Sequence, residues 1–402
     1  MSRFQRRGFL SIAGLAGLGG VAQAMPVGAP HSGKENGRKS ASTAPGPSKT
    51  HAPPSQQNLH GAAIPDFVAS LNRAEMHKVD GGWARELNDA QFHALKDLAV
   101  VNMGLEVGCM REMFWRQQAE WGYVVSGKCR IMSLDEQGRS SVDDVGAGDI
   151  WSVPAGTPHS IIGLAPTGAE TLMFLDDADG SEFHTNSISA WMAATPPELL
   201  EKNFNMPQQV FAASKKEPRW ISRLSNPSDL DTARKNARIR PGAEKIVYLF
   251  SRSNFYARTA GGYMQVVDPA SFPASRPFSA ASDVIHVNGM REMHWHPHAA
   301  EFGIVLSGTA ELTVMCTDGH QKTARLDKND VWNIPRGQGH CIVNRGAQDL
   351  HVLTVYKADR YAGYGLSDWL THVPVEVTAE TLGLPVDVID HFPMARRGFM
   401  PR

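Results

Sequence analysis

Two stretches of this chain are copies of one another. Gly81-Gly82 opens GGWARELNDAQFHALKDLAVVNMGLEVGCMREMFW, and Gly261-Gly262 opens GGYMQVVDPASFPASRPFSAASDVIHVNGMREMHW. The glycine pair and the Arg-Glu-Met triplet are 30 residues apart in both, 81 to 111 and 261 to 291. Ala119-Glu120-Trp121 answers Ala300-Glu301-Phe302, with Ser126-Gly127 and Ser307-Gly308 shortly after. DIWSVPAGTPH ends at His159 and DVWNIPRGQGH at His340, each 39 residues beyond its glutamate (120 to 159, 301 to 340). Trp191 and Trp369 each stand five residues before a proline, Pro196 and Pro374. Preserved spacings of this kind mean one domain in tandem, offset by about 180 residues.

Within each copy the pattern is that of strands. Glu311-Leu312-Thr313-Val314 alternates polar with apolar, and turn residues recur at short intervals, which predicts an all-β sandwich or barrel. A short helix is expected to close each copy. In the first, Thr195 is the predicted N-cap, with Pro196-Pro197 in the first turn and Glu198 completing a capping box. Over 402 residues, 40 Lys and Arg face 41 Asp and Glu, a net charge of −1 that lacks the basic excess of a nucleic-acid binder. Apolar residues at 42% and charged ones at 20% exclude bulk disorder. Four cysteines (Cys109, Cys129, Cys316, Cys341) without a CxxC pair exclude a disulfide scaffold and a zinc knuckle. They hold no equivalent positions in the two copies, so their pairing is left open.

The first 24 residues, MSRFQRRGFLSIAGLAGLGGVAQA, join a basic start to a Gly-rich apolar run and an Ala22-Gln23-Ala24 cleavage-like end. This is the pattern of an export signal, and Arg6-Arg7 resembles the twin-arginine type that carries folded proteins, so a periplasmic or secreted protein is expected. The run is too short to span a bilayer comfortably, and no membrane span is expected in the mature chain. Residues 25–60 are rich in Pro, Gly, Ser and Lys and read as a disordered tether. His31, His51 and His60 within it are solvated linker rather than a metal site. The expected division is thus signal 1–24, linker 25–60, first barrel 61–235 and second barrel 236–402.

The chemistry concentrates in the second copy. His294-Trp295-His296 lies in a predicted strand, where alternation puts both imidazoles on one face and the indole on the other. With Glu301 and His340 they can converge as three nitrogens and one carboxylate oxygen. That donor set suits Mn, Fe, Ni or Zn, and a six-coordinate ion would keep two positions open for substrate or dioxygen. His298, beyond the proline, is expected to be second-sphere or surface.

MREMHWHPHAAEF with PRGQGH resembles the paired motifs of the cupin superfamily. DIWSVPAGTPHSIIGL, FLDDADGSEF, WMAATPPELLEKNF and YKADRYAGYGLSDWL make the tandem similar to bicupins of the oxalate decarboxylase family. The resemblance implies a jelly-roll (double-stranded β-helix) barrel in each half and manganese as the metal. It implies splitting of oxalate into formate and carbon dioxide, with dioxygen assisting. It also casts Arg291 as the cation that neutralises a substrate carboxylate, against a purely structural ion pair.

The first copy departs from that pattern. Phe114 and Arg116 stand where the family has its motif histidines, while Glu120 and His159 remain. Two ligands rarely hold a transition metal, so Arg116 is expected to pair with Glu120 in a metal-free barrel, leaving one manganese per chain. Ser181-Glu182-Phe183-His184 aligns with the family's proton-relay lid, so Glu182 is either catalytic or a solvated loop carboxylate. Thr354 falls where many relatives carry a glutamate near the second metal, and a threonine cannot relay a proton as a carboxylate does. Oxalate oxidation and carboxylate binding without turnover are the rival readings. A homo-oligomer is left open.

Overall fold

The computed structural model describes residues 67–212, 219–224, 227–237, 240, 242–317, 319–393 and 398–401. The export segment 1–24 and the tether 25–60, with His31, His51 and His60, lie outside the described residues. Strand dominates, and every strand pairing is antiparallel within sheets that curl into two barrels. In the first barrel a long strand, Glu120–Leu134, belongs to both walls. Its first half pairs with Ala169–Leu175 and Ile150–Val153, its second with Ser140–Gly146 and His159–Gly163. In the second barrel the same stretch is two strands, Glu301–Ser307 and Ala310–Met315, separated at Gly308. Gly308 has φ +87°, a left-handed conformation that an L side chain adopts only with strain.

Three apolar clusters hold the molecule together. One fills the first barrel around Val101, Met103, Ile131 and Trp151, and a second fills the other around Val305, Leu312, Trp332 and Val352. The third lies between them, where Trp121 and Phe174 meet Phe302, with Phe174 and Phe302 5.4 Å apart edge to face. The alternation of the strands explains the division. In Leu350–Tyr356, Val352 faces the barrel lumen while Leu353 and Val355 face the sister barrel. Such strands bury apolar residues on both faces, so Val352 and Leu353 stand side by side in the sequence.

The barrels also exchange strands across the linear division at 235/236. Val68–Ser70 pairs with Asp330–Ile334 of the second barrel, and Val247–Tyr248 pairs with Ile150–Val153 of the first. Phe67 accordingly joins the second core, and Ile246 and Val247 join the first. Each copy thus lends its leading strand to the other, a reciprocal stitch that periodicity in the sequence does not reveal.

Several short helices follow each barrel, rather than one. Ile188–Ala194, Pro197–Phe204 and Gln208–Ala212 follow the first, and Leu366–Thr371, Val375–Leu382 and Val386–Ile389 the second. The predicted capping box is absent. Thr195 ends the preceding helix, its hydroxyl donating to the Trp191 carbonyl at 2.7 Å, and Pro196 takes the N-cap position. A threonine between two helices four residues from a free carbonyl has that competing partner. No helix among the described residues is long and apolar enough to cross a membrane. All four cysteines are free, Cys109 and Cys129 buried in the first barrel.

Candidate metal centre

The strand Met290–Trp295 carries His294 inward, and His296 follows directly after its end. Trp295 points outward against Tyr364 and Trp369, so the predicted alternation holds. Glu301 begins the next strand, and His340 begins the strand His340–Asn344, paired with His294 across the sheet. One donor atom from each of His294, His296, Glu301 and His340 lies within 4.8 Å of the others, and all four residues are buried.

Backbone carbonyls fix the three rings. The Nδ1 of His294 donates to Glu292 O at 2.6 Å, that of His296 to Ala362 O at 2.7 Å, and that of His340 to Gln338 O at 2.9 Å. With Nδ1 committed to a carbonyl, each Nε2 faces the barrel centre, those of His296 and His340 lying 2.9 and 3.3 Å from Glu301 Oε2. Burial, reinforced by the charges of Arg291, His340 and His296, pushes His294 well below its ordinary pKa, which keeps that imidazole available as a ligand. Burial opposes charge on Glu301, but His340 and His296 outweigh it and hold the carboxyl well below its usual range.

The residues around the ligands were less legible. Trp332 Nε1 donates to Glu301 Oε1 at 2.9 Å and orients the carboxylate. The indole lies over Gly303, where a Cβ would meet it at 2.0 Å, so only glycine fits there. The first barrel repeats this with Trp151, Glu120 and Gly122. The repeated Glu-x-Gly and Asp-x-Trp segments were the signal that could have found this pair. Tyr356 Oη donates to Glu301 Oε2 at 2.9 Å and lies 3.0 Å from Thr354 Oγ1. Arg291, buried, gives Nη1 to Gly398 O at 2.9 Å and Nη2 to Tyr361 Oη at 3.2 Å, with Asp283 Oδ2 3.5 Å from its Nε. His298 is exposed and accepts from Arg360, which places it on the surface.

In the first barrel an arginine stands where the ligand set would close. Arg116 Nη2 is 2.8 Å from Glu120 Oε2, as expected, and also 2.8 Å from Glu182 Oε2. Arg111 Nε holds the other Glu182 oxygen at 2.5 Å, together with Trp220 Nε1 at 2.9 Å. Phe114 lies under both guanidinium groups, 4.0 Å from Arg111 and 5.0 Å from Arg116, and packs on His159 at 4.1 Å. Glu182 is therefore fully buried, and the solvated-loop alternative is corrected: two buried cations draw the carboxylate inward. The structure does not bring Glu182 to the ligands of the second barrel. Burial alone would raise Glu120, but Arg116 and His159 outweigh it and hold it at about 2.

A pair of β-barrels, one gathering three imidazoles and a carboxylate inside, defines the cupin class. The family profile described as Cupin matches residues 70–210 and 247–390, one barrel each. The chain is 34% identical over 327 residues to oxalate decarboxylase OxdC of Bacillus subtilis strain 168, covering 81% of this chain and 83% of that protein. It is 31% identical over 329 residues to a probable oxalate decarboxylase of Arthroderma benhamiae, covering 81% of each. A solved structure of the B. subtilis oxalate decarboxylase, from work on its Mn(II) centres, matches with a TM-score of 0.81 at 31% identity. It covers 85% of this chain and 90% of that one. The chain belongs to the oxalate decarboxylase family of bicupins.

Proposed function

We propose that this protein splits oxalate into formate and carbon dioxide at the C-terminal barrel, using one manganese ion held by His294, His296, Glu301 and His340. The observation that carries the reading is the convergence of these four donors with each imidazole Nδ1 committed to a backbone carbonyl. The donor set fits a divalent transition ion, since three neutral nitrogens and one carboxylate leave coordination positions for a small dianion. When bound, the ion supplies Lewis-acid and one-electron chemistry, with dioxygen as co-catalyst.

The protein's own groups supply the rest. Arg291 offers a buried cation to a substrate carboxylate, and its Nη2 keeps a second N–H beyond the bond to Tyr361. Trp332 and Tyr356 orient the Glu301 oxygens. The apolar lumen around Leu312, Ile342 and Val352 excludes water, which strengthens each of these interactions. The first barrel acts as scaffold, its metal position filled by the Arg116 cation. The twin-arginine-like segment 1–24 supports export of the folded protein to the periplasm or beyond.

The test is metal content with formate and peroxide release for wild type and His294→Ala. About one manganese per chain and formate lost in the variant are expected, at the ordinary equivalence of one metal per complete site. Peroxide without formate would establish the oxidase instead. Metal without oxalate consumption would establish a binding protein.

A further inference from the structure

Because the two barrels share one scaffold, their lumen positions can be compared register by register. In the second barrel Asp283 lies between Met264 and Val352 on the neighbouring strands. In the first, Met103 lies between Ala84 and Thr171. Thr354 opposite Gly303 corresponds to Met173 opposite Gly122, and Tyr356 two residues on corresponds to Leu175. Met103, Met173 and Leu175 are buried, so the scaffold accepts apolar side chains at all three positions. The polar set occurs only in the barrel that also carries the metal ligands. A buried carboxyl that is not fully bonded is destabilising, so packing gives no reason for Asp283.

Asp283 has the placement of a working group. It is 4% exposed, its Oδ2 lies 3.5 Å from Arg291 Nε, and its Oδ1 has no hydrogen-bond partner among the described residues. The strand Met290–Trp295 places Arg291 beside it, with Glu292 beyond on the same guanidinium. Glu301 faces it from the next strand, Tyr356 from Leu350–Tyr356, and Tyr361, on Arg291, from the segment after. The strand Gly262–Val267 brings only the uncharged Met264. Burial raises the Asp283 carboxyl, Arg291 opposes it and Glu301 adds to it, leaving it at about 7.

We propose that Asp283 is the proton-holding group of the C-terminal site, taking the acidic proton of bound hydrogen oxalate and returning it to carbon. The inference rests on the decarboxylase reading above. A substrate carboxylate seated on Arg291 shares that guanidinium with Asp283, and two carboxylates on one cation retain a proton between them. The reaction balances without an added reagent. Hydrogen oxalate becomes formate and carbon dioxide as its O–H bond breaks toward Asp283. Overall the C–C bond breaks, and its two electrons end in the C–H bond formed with the proton held by Asp283. Thr354, which cannot act as a carboxylate, is not needed as the carrier.

The test uses full-length, manganese-loaded wild type, Asp283→Asn and Asp283→Met, the last being the residue the sister barrel holds in this register. Metal content is measured, then formate binding at pH 8 by calorimetry in buffers of different ionisation heat, then formate release from oxalate across pH. Both variants are expected to keep the wild-type metal content. Wild type is expected to take up protons on binding formate and the variants none. Formate release should fall by about 100-fold or more, the usual size of a lost acid–base group. Variants that keep their metal and release formate within about threefold of wild type, or that take up protons as wild type does, would overturn the assignment. Loss of metal from both variants would overturn it too, in favour of a supporting role at the metal site. If wild type shows Asp283-dependent proton uptake but releases no formate, the decarboxylase reading fails while Asp283 stands as the proton holder.

Discussion

Replacing Arg116 by methionine removes the one cation shared by Glu120 and Glu182 inside the first barrel. Each carboxylate lies 2.8 Å from Nη2, and all three side chains are 0–1% exposed. At that separation and an effective dielectric of about 20, one such pair is worth about 6 kcal/mol before desolvation is counted. Glu182 keeps Arg111 and Trp220, whereas Glu120 keeps only Trp151 and a His159 Nε2 at 3.5 Å. The loss therefore falls mainly on Glu120, at about 3–5 kcal/mol, the usual cost of stranding one buried charge. For a barrel of this size that lowers Tm by about 6–20 °C.

The pH dependence gives the sharper test. In wild type the depressed carboxyl of Glu120, at about 2, contributes stability that is present above its ordinary value near 4.5 and lost as pH falls through 2. Without Arg116, burial dominates and Glu120 binds a proton more readily folded than unfolded. The penalty should then be largest at pH 7 and shrink toward pH 5. Thermal melts of wild type, Arg116→Met and Arg116→Met/Glu120→Gln at both pH values provide the assay, with the double variant recovering at least half of the loss. A shift under about 2 °C at pH 7, or a penalty independent of pH, would refute the idea that Arg116 substitutes for a metal cation.

Phe114→His/Arg116→His should complete a second ligand set with Glu120 and His159 and raise manganese from about one to about two per chain, read by elemental analysis. Trp332→Phe removes the donor to Glu301 Oε1 and should weaken manganese binding by about 10–100-fold, measured by competition with a chelator. Asp283→Met should be more stable than wild type at pH 8 and lose that advantage toward pH 4. A carboxyl raised to about 7 favours the folded state below its unfolded value near 3.8, and that contribution is lost as pH rises to 7. The ceiling is about 4 kcal/mol, tested by denaturant unfolding at the two pH values.

The metal ligands were legible because a strand has a period of two and metal binding demands fixed donor types. His294 and His296 share a face whatever surrounds them, and duplication supplied the matching positions of Glu301 and His340. The failure of the first site was equally plain, since Phe114 and Arg116 stand at the ligand positions themselves. The pairing of Arg116 with Glu120 follows from their spacing on one segment. Charge, composition and the absence of a CxxC pair limited the class of protein further, because each acts without knowledge of the fold.

What needed the tertiary structure is whatever depends on which strands lie side by side. Val68–Ser70 and Val247–Tyr248 cross into opposite barrels, and no local pattern encodes the partner of an edge strand. Glu182 lies 66 residues from Arg116, and its burial depends on a loop folding back over the first barrel. Asp283 reads as an ordinary polar residue in an alternating strand until register sets it in the lumen beside Arg291. There burial turns a carboxylate that would be charged in water into one that can hold a proton at neutral pH.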